Sequence, residues 1–205
     1  QHVLFGNRLI DLFNDEMKLN PELTKLERDT YRQIKGNWRE KSKGPRTLSR
    51  SEVIEKLDRE GLLPAITFIF SRKACDAAVK QCLQAGIRLT NEKDRARIRH
   101  IVNKNIGNLD QEDLVVLGYY EWFEGLERGI AAHHAGLLPA FKTTVEELFQ
   151  EGLVKAIFAT ETLALGINMP ARTVVLEKLS KWNGESHVAI SAGEYTQLTG
   201  RAGRR

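Results

Sequence analysis

The sequence predicts an α/β domain in which helices cover both faces of a mostly parallel sheet. Short apolar runs of strand type alternate along the chain with amphipathic stretches of helical length. Glycine or a Ser-x-x-Glu pattern stands at several expected helix boundaries. Strands that alternate with helices are typical of parallel sheets. The 205 residues, 41% of them hydrophobic, are enough to bury a core without disulfides or a metal.

The N-terminal segment predicts an extension rather than part of this sheet. We expect a strand at 2–5, the start of a helix at 7–14, and a helix from Pro21, where apolar residues recur at helical spacing. Residues 24–50 carry nine Lys or Arg and three Asp or Glu, a net charge of +6, whereas the rest of the chain carries −2. Whether this basic segment is a disordered linker or binds nucleic acid through counterion release is open.

From residue 51 onward the prediction is a regular alternation of helices and strands. A Ser49-x-x-Glu52 capping box opens a helix that ends near Gly61. Four strands are expected and a fifth is possible, at 65–70, 130–132, 154–159, 173–177 and 188–190. Helices are expected at 71–85, 91–105, 111–117, 119–128, 139–151 and from Ser191.

Small, hydroxyl or basic side chains follow three of the predicted strands. Ser71 and Arg72 follow the first strand, Gly136 lies close behind the second, and Thr160 follows the third. Open parallel sheets bind ligands at the carboxyl ends of their strands, and helix N-termini there attract phosphate. The pattern therefore favours a track for a phosphate backbone, although Ser71 and Thr160 are equally suited to capping helices.

The last residues of the sequence, QLTGRAGRR, set three arginines among small residues. Arg201 and Arg204 are three residues apart, so on a helical turn they would face the same way. Two guanidinium groups aimed together suit a polyphosphate or a carboxylate, and glycines let the backbone approach such a ligand. From composition alone, the alternative is that these last residues are a basic segment that is solvated and binds no ligand.

Two other surface patterns each have two interpretations. The aromatic stretch 119–126 has the residue types of a base-stacking platform, but its helical spacing favours core packing. On the helix from 91, the basic residues Lys93, Arg97, His100 and Lys104 favour a solvated face over a binding patch.

Four segments in this order resemble motifs of the second RecA-like domain of superfamily 2 helicases: FSRKACDAAV, HHAGLLPAFK, FATETLALGINMPARTVV and QLTGRAGRR. Within that superfamily the chain is most similar to the superkiller-type, DExH-box RNA helicases, in particular to their actinobacterial members. The resemblance implies a RecA-like, three-layer αβα domain of the P-loop NTPase type over 51–205, truncated after its last motif. Residues 1–50 would then be a strand, a helical extension and a basic linker.

The resemblance also implies roles for single residues. Arg201 and Arg204 match the arginine fingers that reach the γ-phosphate of ATP, and Gln197 matches the polar position near the nucleotide; these three are the catalytic candidates. Gly166 and Asn168 match the motif that touches the ribose, where many relatives have Asp in place of Asn168. Contacts to the nucleic-acid backbone are implied for Ser71, Arg72, Gly136 and Thr160.

The sequence lacks the two motifs that bind ATP and its Mg²⁺ in this class of enzyme. It contains neither the phosphate-binding pattern, Gly-Lys followed by Ser or Thr, nor the acidic pattern Asp-Glu-x-His. We therefore expect the first RecA-like domain of the same protein to bind most of the ATP and its Mg²⁺. These residues alone would neither hydrolyse ATP nor unwind. The expected function is that of the C-terminal domain of an ATP-dependent, monomeric helicase acting on single-stranded RNA. A DNA helicase domain and a non-catalytic nucleic-acid-binding adaptor domain remain the alternatives.

Composition argues against membrane and metal partners. The longest apolar stretch, 62–70, has nine residues, whereas a membrane span needs about 20. Cys75 and Cys82 lie seven residues apart on a predicted helix, beyond disulfide reach, and free thiols suit the cytoplasm. Adjacent His133 and His134 should point to opposite faces of a strand, so we expect no metal site there.

Overall fold

Strands and helices alternate along most of the chain, as the sequence predicts. The computed structural model describes residues 1–5, 7–36, 47–107, 115–164, 169, 171–182 and 184–203, and for 30–36 and 164 the backbone alone. The elements are β1 (His2–Phe5), β2 (Arg8–Asp11), α1 (Pro21–Gly36), α2 (Arg50–Arg59), β3 (Ala65–Phe68), α3 (Arg72–Gln84), α4 (Glu92–Ile106), α5 (Tyr119–Glu127), β4 (Ile130–His133), α6 (Pro139–Gln150), β5 (Ala156–Ala159), a 3-10 helix (Glu161–Ala164), β6 (Thr173–Leu176), β7 (Ser180–Trp182), β8 (His187–Ala189) and α7 (Ala192–Thr199). They fall into two units, Gln1–Ser49 and Arg50–Arg205.

In the first unit a β-hairpin precedes helix α1. Strand β1 pairs antiparallel with β2, and Arg8 forms an ion pair with Glu22 at 3.0 Å, which joins the hairpin to the first turn of α1. The prediction of a helix starting at 7–14 is therefore wrong. A short isolated helix gains little, whereas the alternation of a strand lets Ile10 bury its side chain and β1 satisfies the backbone hydrogen bonds.

The central sheet of the second unit consists of four parallel strands in the order β4-β5-β3-β6. Every residue of β3, β4 and β5 is buried. Strands covered on both faces become continuous apolar runs, and this is why they were recognisable in the sequence. The predicted α/β architecture with a mostly parallel sheet is confirmed.

Two cores, one on each face of the sheet, complete the three layers. Alternate strand residues separate them: Phe68 and Ile157 belong to the first core, and Ala65 and Phe158 to the second. Helices α4, α5 and α6 cover the first face with a group of large side chains, Ile98, Ile101, Leu126, Phe141 and Leu148. Helices α2 and α3 cover the second face with Ile54, Leu57, Cys75, Val79 and Cys82.

The possible fifth strand is a strand, but it lies outside the parallel sheet. Strand β8 pairs antiparallel with β7 in a separate hairpin, with Lys181 opposite Val188. Its middle residue is half-buried and the two flanking residues are exposed, a pattern that suits a surface hairpin better than a sheet interior. The helix predicted at 111–117 falls mostly on 108–114, outside the described residues.

Aromatic side chains of α5 pack into the first core, as their spacing favours. The rings of Tyr119 and Phe123 stack with centroids 5.4 Å apart, and Trp122 stacks on Phe141 of α6 at 4.2 Å. All three α5 rings lie against buried core residues. The stretch therefore holds α5 to α6 by apolar and stacking contacts.

The basic face of α4 is an ion-paired seam with α6. Arg97 contacts Glu151 at 2.8 Å, and Lys104 contacts Glu147 at 3.3 Å. The hydrogen bond from Arg97 lowers the pKa of Glu151 below its usual value. Two of the four basic residues are thus engaged within the domain, which argues against a binding patch along this face.

Both cysteines lie in α3 and are free and completely buried. Burial raises the pKa of the Cys75 and Cys82 thiols to about 12 each. Within the described part of the chain, no helix is both long and apolar enough to cross a membrane.

Candidate nucleic-acid and nucleotide interface

Three of the predicted backbone-contact segments lie at one edge of the sheet. Ser71 follows β3, Gly136 follows β4 and Thr160 follows β5, and these three strands are parallel neighbours. The amide of Thr160 donates to the carbonyl of His133 at 3.2 Å, which joins the ends of β5 and β4 directly. The carboxyl edge predicted from the sequence is thus a continuous structural feature.

Ser71 caps α3 at this edge. Its backbone is extended, and its hydroxyl accepts a hydrogen bond from the amide of Ala74 at 3.4 Å. Ser71 and Arg72 are both exposed. The capping interpretation is therefore correct for Ser71, and it is compatible with anion binding because the same helix N-terminus presents amides and a positive dipole end.

His134 holds the loop that carries Gly136. Its Nδ1 accepts from the amide of Gly136 at 3.2 Å, so Nε2 carries the proton and donates to Oδ1 of Asp76 in α3 at 2.9 Å. A Cβ atom placed on Gly136 would lie 3.2 Å from this Nδ1 and 3.5 Å from Cδ of Arg72. The structure therefore brings Arg72 and Gly136 together and leaves little room for a side chain at position 136.

His133 points to the opposite face, as expected for adjacent residues of a strand. Its Nε2 lies 2.8 Å from Oε1 of Glu146 in α6. Burial lowers the pKa of His133 below its usual value, and the Glu146 carboxylate opposes this shift. The described residues hold no group of three or more His, Cys, Asp or Glu side chains arranged for a metal.

Thr160 is buried, unlike Ser71 and Arg72, which are also predicted to contact the nucleic-acid backbone. Its Oγ1 lies 2.9 Å from Oγ1 of Thr162. Its carbonyl accepts from the amide of Leu163 at 3.1 Å, which starts the 3-10 helix. Thr160 thus shapes the turn after β5 while its hydroxyl pairs with that of a neighbour.

The segment that contains Arg201 lies near the amino end of β6, whereas the residues described above lie at the carboxyl ends of their strands. Helix α7 ends at Thr199, so Arg201 lies beyond the helix, and Arg204, which would face the same way on a helical turn, lies outside the described residues. The amide of Ala171 donates to the carbonyl of Arg201 at 3.1 Å, and the amide of Gly203 donates back to Ala171 at 3.0 Å. Gly203 has φ +70°, a conformation that favours glycine. Because Ala171 lies two residues before β6, Arg201 lies near the amino end of that strand.

The predicted site residues therefore form two groups rather than one. Ser71, Arg72, Gly136 and Thr160 lie at the carboxyl edge of the sheet, whereas Arg201 lies near the amino end of β6. Gln197 is exposed on α7, and Arg201 is partly exposed. The remaining candidates, Gly166, Asn168 and Arg204, lie outside the described residues.

Sequence reasoning missed three ion pairs near these groups, which two basic residues form. Arg50 of α2 forms an ion pair with Glu177, which directly follows β6; the distance between Nε and Oε1 is 2.5 Å. The Nη1 group of Arg50 also donates a hydrogen bond to the carbonyl of Ala74 at 3.2 Å. Lys181 of β7 lies between two carboxylates, those of Glu161 and Glu194. Partners so distant along the chain leave no local pattern. By contrast, the buried polar His133 and His134 at the end of an apolar strand were a usable signal for acidic partners.

Comparison with known proteins defines the class. Residues 87–205 match the family model described as "Helicase conserved C-terminal domain", and the chain belongs to this family. Its four-stranded parallel sheet is that of a RecA-like helicase C-terminal domain.

Particular relatives are more informative. Over its whole length the chain is 58% identical to "Probable helicase HelY" of Mycobacterium tuberculosis (strain ATCC 25618 / H37Rv) and covers 24% of that protein. It is 40% identical over 79% of its length to "Antiviral helicase SKI2" of Saccharomyces cerevisiae, covering 12% of it. It is 38% identical over 95% of its length to "Exosome RNA helicase MTR4" of Homo sapiens, covering 18% of it. The resemblance to superkiller-type helicases is confirmed, and the chain spans at most about a quarter of these relatives.

Proposed function

We propose that this chain is the second RecA-like domain of an ATP-dependent helicase that moves along single-stranded RNA. The observation that carries the proposal is the shared carboxyl edge, where Arg72 at the start of α3 lies against Gly136 in the loop after β4. The name of one relative, an exosome RNA helicase, favours RNA as the substrate.

The chemistry of this edge suits a phosphate backbone. The exposed Arg72 guanidinium, the Ser71 hydroxyl and the dipole of α3 all attract anionic oxygen. Contacts to phosphate and sugar position a strand without reading its bases. A grip of this kind lets a motor move over any sequence.

The nucleotide would be shared with a first RecA-like domain of the same protein. ATP with Mg²⁺, held mainly by that domain, supplies free energy through hydrolysis of its γ-phosphate. Arg201 fits the finger role because main-chain pairing with Ala171 fixes its backbone while its side chain stays partly exposed. Its guanidinium would donate to the phosphate oxygens. The motif resemblance supports nucleotide contacts for the others, Arg204, Gln197, Gly166 and Asn168.

ATP turnover by the full-length protein tests this function. We expect single-stranded RNA to stimulate turnover more than single-stranded DNA of the same length and base order, and we expect strand separation to require ATP. Equal or stronger stimulation by DNA would indicate a DNA helicase. Nucleic-acid binding without any ATP turnover would indicate an adaptor domain instead.

Replacing His134 with alanine in the full-length protein should weaken RNA binding by about two- to twelvefold, which corresponds to the net contribution of one hydrogen bond, roughly 0.5–1.5 kcal/mol. The loop at Gly136 loses its tie to Asp76, but no phosphate contact is removed. Affinity measured at several salt concentrations should therefore fall without a change in slope.

Arg72→Ala is the matched comparison for that experiment. It should lower both the affinity and the salt slope, because a phosphate-binding cation is lost. Asp76→Asn, which keeps an acceptor for Nε2 of His134, should have a smaller effect than His134→Ala. Unchanged affinity in His134→Ala would show that the loop does not depend on this histidine.

A further inference from the structure

Lys181 joins three elements of the second unit. From β7, its Nζ lies 2.5 Å from Oε1 of Glu194 in the first turn of α7 and 3.7 Å from Oε1 of Glu161 in the 3-10 helix. The Lys181 side chain is 23% exposed, so water screens these contacts only in part. One cation thus contacts the helix α7, which precedes Arg201, and the segment after Thr160 from its own position in the hairpin.

Glu194 makes two separable contacts with its two oxygens. Oε1 faces Lys181, while Oε2 accepts from the amide and the hydroxyl of Ser191 at 2.8 and 2.9 Å in a capping box. The hydrogen bond from Lys181, followed by those from Ser191, lowers the pKa of Glu194 to about 2. A lowered carboxyl pKa contributes stability above the usual value of 4.5, and this contribution is lost as the pH falls toward 2. The ion pair is therefore fully formed at neutral pH.

Helix α7 links the two groups of candidate residues. Its first turn is linked through Lys181 to Glu161, just beyond the carboxyl end of β5, and the chain after its last turn pairs with Ala171 beside the amino end of β6. Eight residues make a rod about 12 Å long. Near its far end, Leu198 is buried in the same core as Leu163 of the 3-10 helix. A displacement of one end of α7 must therefore displace the other end as well.

We propose that Lys181, through Glu161 and Glu194, is a positioning residue that couples the RNA-side turn after β5 to the arginine segment after α7. The proposal rests on the proposed function, because it assigns RNA to one end of α7 and ATP to the other. Lys181 contacts neither ligand. It keeps the start of α7 in register with Thr160, so that RNA at one site changes the placement of Arg201 at the other.

The coupling is measured as the ratio of RNA-stimulated to unstimulated ATP turnover in the full-length protein. We expect Lys181→Met and Glu194→Gln each to lower this ratio by about fivefold or more, the lower end of typical coupling between sites. Unstimulated turnover should stay near the wild-type value. The double variant should be no worse than Lys181→Met, because that change already removes the contact between Lys181 and Glu194. Glu161→Gln, at the longer contact, should lower the ratio less.

Two controls separate coupling from stability. Glutamine at position 194 can still complete the capping box, whereas Ser191→Ala weakens the box and keeps the Lys181 contact. Ser191→Ala should therefore leave the ratio unchanged even if the melting temperature falls. Lys56→Met removes the ion pair with Glu60 within α2 and should also leave the ratio unchanged.

The possible results discriminate between this proposal and the proposed function. A wild-type ratio in both Lys181→Met and Glu194→Gln, or an equal fall in Ser191→Ala, would overturn the coupling role and leave the helicase assignment intact. A wild-type protein whose ATP turnover does not respond to RNA would overturn the proposed function, and the coupling role with it.

Discussion

Replacing Arg204 with alanine in the full-length protein should abolish ATP turnover while leaving ATP binding largely intact. An arginine finger contributes mainly to the transition state, where charge accumulates on the transferred phosphoryl group, and it is worth about 10³–10⁵ in rate in other NTPases. Steady-state turnover and equilibrium binding of a fluorescent ATP analogue, measured on the same preparation, separate the two effects. Arg201→Ala should show the same pattern.

Arg59→Ala provides the matched control for the finger prediction. Its guanidinium contacts the backbone carbonyl of Glu55 on the exposed side of its own helix, so its loss should leave turnover within about twofold of the wild type. Unchanged turnover in Arg204→Ala would refute the finger assignment. A parallel loss of ATP binding would instead place Arg204 in ground-state recognition.

Phe158→Ala should destabilise the domain by about 3–5 kcal/mol, a large part of the stability of a typical domain. Phe158 lies in β5, the strand between β4 and β3, and is 1% exposed. Its removal leaves a cavity in the core that α2 and α3 close over the sheet. Urea denaturation of the 205-residue chain, followed by circular dichroism, measures the loss as a lower midpoint.

Tyr120→Ala is the control for this core substitution. Tyr120 is an aromatic residue of α5 that is 63% exposed, and its removal should cost less than about 1 kcal/mol. Similar losses for the two variants would mean that the sheet core contributes less to stability than its burial implies.

Buried strands were the most predictable part of the fold. The runs around Ala65 and Ala156 are almost entirely apolar because helices cover both of their faces, so composition alone marked them. Two short exposed strands, by contrast, could not be predicted from the sequence. Strands β2 and β7 have mixed polarity, and what makes them strands is a hairpin partner that no local pattern reveals.

The candidate site was predictable wherever local geometry decides it. The Ser71 cap and the opposite directions of His133 and His134 both follow from short-range rules. The pairing of Arg201 with Ala171 does not, since it joins segments thirty residues apart, beyond the end of α7. Long-range contacts of this kind, like that of Lys181 with Glu161, are set by packing of the whole unit.

The chemical reactivity of the two buried thiols reports how often α3 opens locally. A thiol whose pKa is about 12 is almost entirely protonated near neutral pH, and full burial also keeps reagents away. Alkylation of Cys75 or Cys82 in the native protein must therefore wait for α3 to detach from the sheet. The modification rate of each cysteine would then report how often the helix that begins at Ser71 and carries Asp76 opens, and bound RNA should slow that rate if it rests on this helix.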